Sequence, residues 1–273
     1  MSQLLSTSRS SSVDGGSSTR SFLSPSSAVF PISSSSFLTC SESIPSSALP
    51  VIKGIPALRD CKEVLGAGYK VTGSYRLNPT PEQEVVNDEM GPFRAYCDQE
   101  TAGGGWTVVM RRLDGFVNFH RKWHSYANGF GSISGEFWFG LIKMRQLCYD
   151  VPLSIRFDFE AENGAKPYAE YSDCQIDTWG TSYTLRVGKF IGGGAGDSLS
   201  SLNNTKFATR DRSNSNTVGD NCPLQLQGGW WVASCDQDAF LTGRDEKGNL
   251  TIRWRTWRGA SLTKIEMKVK PST

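Results

Sequence analysis

The sequence offers no apolar run approaching the roughly 20 residues that a membrane-crossing helix needs. It has only two histidines, His120 and His124, and no H-E-x-x-H pattern, so the common zinc-hydrolase arrangement lacks its ligands. The two fall four apart in a stretch that reads as a short helix, which suits surface positions on one face. No G-x-S-x-G elbow presents a nucleophilic serine. The glycine triplet at 103–105 is followed by neither Lys-Ser/Thr nor a helix, which excludes a phosphate cradle. Asp158 and Glu160 share one face of a predicted strand and are expected to point at solvent rather than to act as an acid–base pair. With a net charge of +2 there is no basic field for nucleic acid. Residues 1–30 also lack the apolar centre of a secretion signal. These absences leave no catalytic constellation, and the expectation is a non-enzymatic protein.

What is present divides the chain in two. Residues 1–50 include 20 serines and few aromatics, a composition that cannot bury enough apolar surface to offset the entropy of ordering. An arm over 1–55 is expected to be extended or disordered. Cys40 lies in it, as either an interchain link or a free thiol. A folded domain is expected over 56–271, in stretches of 56–100, 101–200 and 201–271. Its seven-cysteine chain fits an oxidising compartment, the alternative being reduced, buried thiols in a cytosolic protein.

Helices are predicted over 58–65, 121–126 and 136–147, the last with Phe137, Trp138, Leu141 and Met144 facing a core. Strands are predicted over 74–77, 93–97, 105–111, 154–160, 168–176 and 183–187, with Asn163-Gly164 as a hairpin signal. Runs of strands broken by short helices imply an α+β domain with a mainly antiparallel sheet rather than βαβ repeats. Cys148 and Cys174 flank that hairpin. Its register sets them a few residues out of alignment, which leaves a bond between them open.

The stretch 211–235, DRSNSNTVGDNCPLQLQGGWWVASC, joins short oxygen-bearing side chains to a cysteine pair that brackets Trp230 and Trp231. A polar loop of this kind suits a hard cation. The bridged loop is expected to hold the two indole rings beside it, as a binding site.

The same stretch, with RDC at 59–61, YCD at 96–98, GGGWTV at 103–108, RRLDG at 111–115, GFG at 129–131, GEFW at 135–138, AGDSL at 195–199 and Lys264 with EMK at 266–268, resembles the fibrinogen-related domain. That family is the globular module of fibrinogen chains, ficolins, tachylectins, tenascins and angiopoietins. The resemblance implies disulfides Cys61–Cys97 and Cys222–Cys235. It also implies a calcium site at Asp211 and Ser213, completed by the carbonyls of Ser215 and Thr217. Ser213 stands where the family has a second aspartate, so the site is expected to be weaker, since affinity follows ligand charge.

In lectin-like members an acetyl group is cradled beside the second cysteine of that pair. Mapped here, the pocket falls at Ser234, Cys235, Asp236, Phe240 and Trp254. Asp236 replaces the family's histidine and offers no donor when ionised, which suggests an altered pocket that prefers a cationic group. Asn203 and Asn249 open N-glycosylation sequons. The resemblance therefore implies an extracellular, calcium-supported lectin for glycans or acetylated groups, made multivalent through the N-terminal arm. The alternative is a receptor-binding or matrix module that binds no sugar.

Overall fold

The computed structural model describes residues 58–79, 91–149, 151–213 and 221–272. The first helix, α1 (Cys61–Gly66), starts later than predicted because Asp60 caps it, its Oδ1 accepting the Lys62 and Glu63 N–H groups. Strands β1 (Gly73–Leu77), β2 (Phe93–Asp98) and β3 (Trp106–Arg112) follow. Next come α2 (Trp123–Asn128), β4 (Phe130–Gly131), β5 (Phe137–Trp138) and α3 (Leu141–Leu147). The hairpin strands β6 (Leu153–Ala161) and β7 (Tyr168–Ile176) lead to β8 (Leu185–Arg186) and β9 (Lys189–Gly192). The remainder holds β10 (Phe207–Ala208), α4 (Cys222–Gln225), β11 (Trp230–Trp231), β12 (Ala239–Arg244), β13 (Leu250–Trp254) and β14 (Leu262–Pro271).

Among the described residues, ten strands form one sheet with the path β1-β2-β3-β14-β6-β7-β8. Every pairing in it is antiparallel. The last strand, β14, runs between β3 and β6, so the sheet draws on all three expected stretches of the domain. Alternation on β14 sends Ile265, Met267 and Val269 into the core and Glu266, Lys268 and Lys270 to the other face.

The helix predicted over 136–147 is corrected. Phe137 and Trp138 are strand residues, paired with Arg111 and Met110, and the helix begins only at Leu141. Gly140 separates the two with φ of 110°, and a Cβ there would meet Asn128 backbone at 2.7 Å. The predicted strand over 183–187 keeps only Leu185 and Arg186, since Ser182 and Tyr183 both adopt left-handed φ.

Asp158 is also corrected. It does not simply face water but joins a ladder of ions across the sheet. Lys268 Nζ lies 2.7 Å from Asp98, 3.0 Å from Asp158 and 3.0 Å from Glu266. Arg156 bridges Asp158 and Glu170 at 2.9 Å each. Glu160 pairs with Lys264.

Candidate functional site

Two disulfides pin the domain. Cys61 and Cys97 tie α1 to β2 with Cα atoms 5.4 Å apart, and Cys222 and Cys235 close the C-terminal loop at 4.9 Å. Cys148 and Cys174 are buried free thiols. Burial raises both pKa values, that of Cys174 to about 11.

Asp211 sits at the start of the candidate cation loop. Its Oδ1 accepts the Trp123 N–H at 2.8 Å, satisfying one of the orphan donors at the start of α2, and the Thr209 hydroxyl at 2.8 Å. Burial raises the Asp211 pKa, but these hydrogen bonds outweigh it and hold the carboxyl below its ordinary value. Asn221 Nδ2 donates to the Arg210 carbonyl at 2.9 Å, fastening the far end of the loop. Ser215 and Thr217, the other expected ligands, lie outside the described residues. Among the described residues there is no cluster of three or more His, Cys, Asp or Glu side chains able to hold a metal.

The two tryptophans are not the walls of an open loop, which corrects the sequence reading. Trp230 and Trp231 are both 0% exposed. They pack with Trp138, Phe207 and Tyr126 in an aromatic core. Gly229 explains the glycine pair before them. Its N–H donates to the Tyr126 hydroxyl at 2.9 Å, and a Cβ there would stand 2.6 Å from the Tyr126 ring.

Around Cys235, Ser234 is exposed, and the Ser234–Cys235 peptide is trans, like every peptide among the described residues. Gln237, buried beneath, donates to the carbonyls of Trp231 and Ala239 and fixes the turn. Phe240 is only 2% exposed and faces the interior. Trp254 is sandwiched against Phe157 and Phe159, with its Nε1 donating to the Gly196 carbonyl.

Asp236 is not a free anion awaiting a cation. Arg255 pairs with it at 2.7 Å and with Asp238 at 2.8 Å. Arg253 donates to the Cys235 carbonyl at 2.7 Å. These groups border an open depression of about 420 Å³, with Asp236, Arg253, Arg255 and Trp257 on its rim and Trp254 in its floor. Arg253 and Arg255 were missed from the sequence, although alternation on β13 sets Arg253 opposite the buried Trp254 and Arg255 follows the strand's end.

The remaining candidates are dispersed. His120 precedes α2, whereas His124 lies on it and bonds Asn128, so the two do not form one helical pair. Asn203 is exposed and its Oδ1 accepts the Val187 N–H. Asn249 is exposed beside Asp245. No helix among the described residues is long and apolar enough to cross a membrane.

A family model described as the C-terminal globular domain of fibrinogen beta and gamma chains matches residues 57–272. Angiopoietin-related protein 7 from Homo sapiens is 36% identical over 227 residues, a match covering 79% of this chain and 62% of that protein. The mouse form, from Mus musculus, is also 36% identical, with 64% of its length covered. The chain thus spans about three-fifths of the length of these curated relatives. Among solved structures, the fibrinogen-like globe domain of human ANGPTL2 aligns with a TM-score of 0.70 and 33% identity, over 79% of this chain and 100% of that one. A lamprey fibrin D-dimer, complexed with the peptide Gly-His-Arg-Pro-amide, aligns with a TM-score of 0.70 at 28% identity, over 86% of this chain and 80% of that one. With its sheet, both bridges and the matched span in agreement, the chain belongs to the family of the fibrinogen C-terminal globular domain.

Proposed function

We propose that this chain is an extracellular recognition module whose partner is a protein, a receptor or matrix component, rather than a sugar. The observation that carries the reading is the fate of the rings. Trp230, Trp231 and Phe240, which a sugar-cradling loop would display, are interior. What remains at the surface beside Cys235 is an open face of Arg253, Arg255, Asp236 and Trp257. Arginine and tryptophan dominate the energetics of protein interfaces, and a shallow charged face with an indole suits such a partner. Similarity to angiopoietin-related proteins supports the same direction. The two disulfides support an oxidising compartment.

The chain performs no chemistry on its partner in this reading. Its serine-rich arm, with Cys40, links copies and so multiplies a weak single contact, by roughly 10²–10⁴. Calcium, if held at Asp211, steadies the neighbouring loop.

The test is a paired screen against receptor and matrix ectodomains and against a glycan array, each with and without chelator. Binding to an ectodomain that drops more than about tenfold in Arg255→Glu and in Trp257→Ala is expected, tenfold being about 1.4 kcal/mol. A chelator-sensitive glycan signal, unchanged in both variants, would replace this reading with the lectin.

A further inference from the structure

A second open depression adjoins the one beside Cys235, sharing Ile252, Ser261 and Leu262 with it. It encloses about 790 Å³ between the loop after β3 and the start of β13. Leu113, Phe116, Leu250 and Ile252 line it beside the carboxylates of Asp114 and Glu162. Phe116 is 90% exposed, a ring that finds no cover in the fold. Asn249, the first residue of the sequon Asn249-Leu250-Thr251, stands in the wall of the same groove.

We infer that Asn249 carries an N-linked glycan and that the groove is the seat of its first sugars, with Phe116 as the stacking platform. Three features support this. First, Asn249 and Thr251 are both exposed, so the sequon is open to a transferase. Second, the Asn249 side chain is already aimed. Asp245 receives its backbone N–H at 2.8 Å and its Nδ2 at 2.8 Å across a tight turn closed by the Asp245 N–H to the Asn249 carbonyl. Glycosylation replaces one of the two Nδ2 hydrogens and leaves the other, so the bond to Asp245 survives and orients the linkage. Third, the groove has the volume of a ligand pocket and joins apolar side chains to hydroxyls of Thr251, Ser261 and Thr263. A sugar has matching faces of both kinds.

The modification balances simply. The Asn249 amide nitrogen bonds to the anomeric carbon of an oligosaccharide carried on a polyisoprenyl diphosphate. The bond from that carbon to phosphate oxygen breaks, the diphosphate leaves with the electron pair, and the amide gives one proton to the transferase. Asn203 differs from Asn249 in its surroundings. Its Oδ1 is engaged by the Val187 N–H, and Thr205 of its sequon is 9% exposed.

The inference rests on the extracellular reading above, and the experiment separates the two. The full chain is expressed in animal cells behind a cleavable secretion leader, which forces entry to the glycosylating compartment whatever its natural route. Glycopeptide mass analysis of the secreted protein should find Asn249 occupied. Peptide-N-glycosidase acting on the native protein should then release that glycan about fivefold more slowly than from Phe116→Ser, the ratio expected of one aromatic contact. Phe116 is exposed, so its substitution leaves the fold intact. Secreted protein unmodified at Asn249, or equal release rates from the two proteins, would overturn the inference.

Discussion

Lys268 brings its ammonium into the sheet, 3% exposed, where Asp98, Asp158 and Glu266 all lie within 3.0 Å or less. Burial lowers its pKa, but the three carboxylates outweigh that and raise it. Removing the charge takes away the ammonium partner of Asp98 and leaves Asp158 and Glu266 to Arg156 and Arg111. Lys268→Met should therefore cost about 3–5 kcal/mol, read as a lower urea midpoint at pH 7. For Asp98, burial raises the pKa, yet the Lys268 ammonium, the Thr101 hydroxyl and the Thr101 and Glu100 N–H groups hold it well below the ordinary value. A depressed folded pKa means stability that is complete above the unfolded value, near 3.9, and lost as pH falls toward the folded one. Asp98→Asn should be less stable at pH 7 and lose less of its remaining stability below about pH 4 than the parent. A parallel acid decline in both proteins, followed by thermal melts, would rule this role out. None of this was legible beforehand. Lys268 and Asp98 are 170 residues apart, and local alternation shows only that both sit on strands.

Among the elements, periodicity read well where a strand or hairpin is long, and poorly where a few residues decide. The β6–β7 hairpin follows from alternation around Asn163-Gly164. The helix over 136–147 failed because Glu136, Phe137 and Trp138 fit a helical apolar pattern as easily as a strand. Only pairing to β3 and the clash-free backbone at Gly140 decide between them. The C-terminal loop shows the same split. Its bridge was legible through resemblance, whereas the inward turn of Trp230 and Trp231 depends on Tyr126, about a hundred residues earlier. In that loop α4 spans four residues and β11 two, so its bridge matters. A paired Cys222→Ser, Cys235→Ser change, closing no ring across a separation of 13, should cost about 3 kcal/mol. Differential scanning calorimetry of both proteins measures it. A change within error would mean that the aromatic core alone fixes the loop.

At the scale of the molecule, sheet and aromatic core form one continuous apolar interior that runs from Cys61 to Val269. Such a core is legible in outline from composition and motif order. Its closure is not, because β14 enters between β3 and β6 from the far end of the chain. That topology makes the two free thiols reporters of the whole fold. Cys148 lies beneath the end of α3 with its Sγ 3.6 Å from the Ile176 carbonyl, and Cys174 is on β7 beside Gly188. Both thiols are buried on or against β7, and β7 is paired with β6, β8 and β9. Only the thiolate reacts with a disulfide reagent, and burial raises both pKa values, so reaction at pH 8 requires opening. In Cys40→Ser protein with both bridges intact, the native state should resist labelling and the unfolded state should take up label at both positions. The rate of native labelling should rise with added urea in step with global unfolding, because opening of β7 dismantles the sheet. Rapid labelling of either cysteine at low urea, ahead of the loss of tryptophan fluorescence, would show that β7 opens as a separate unit.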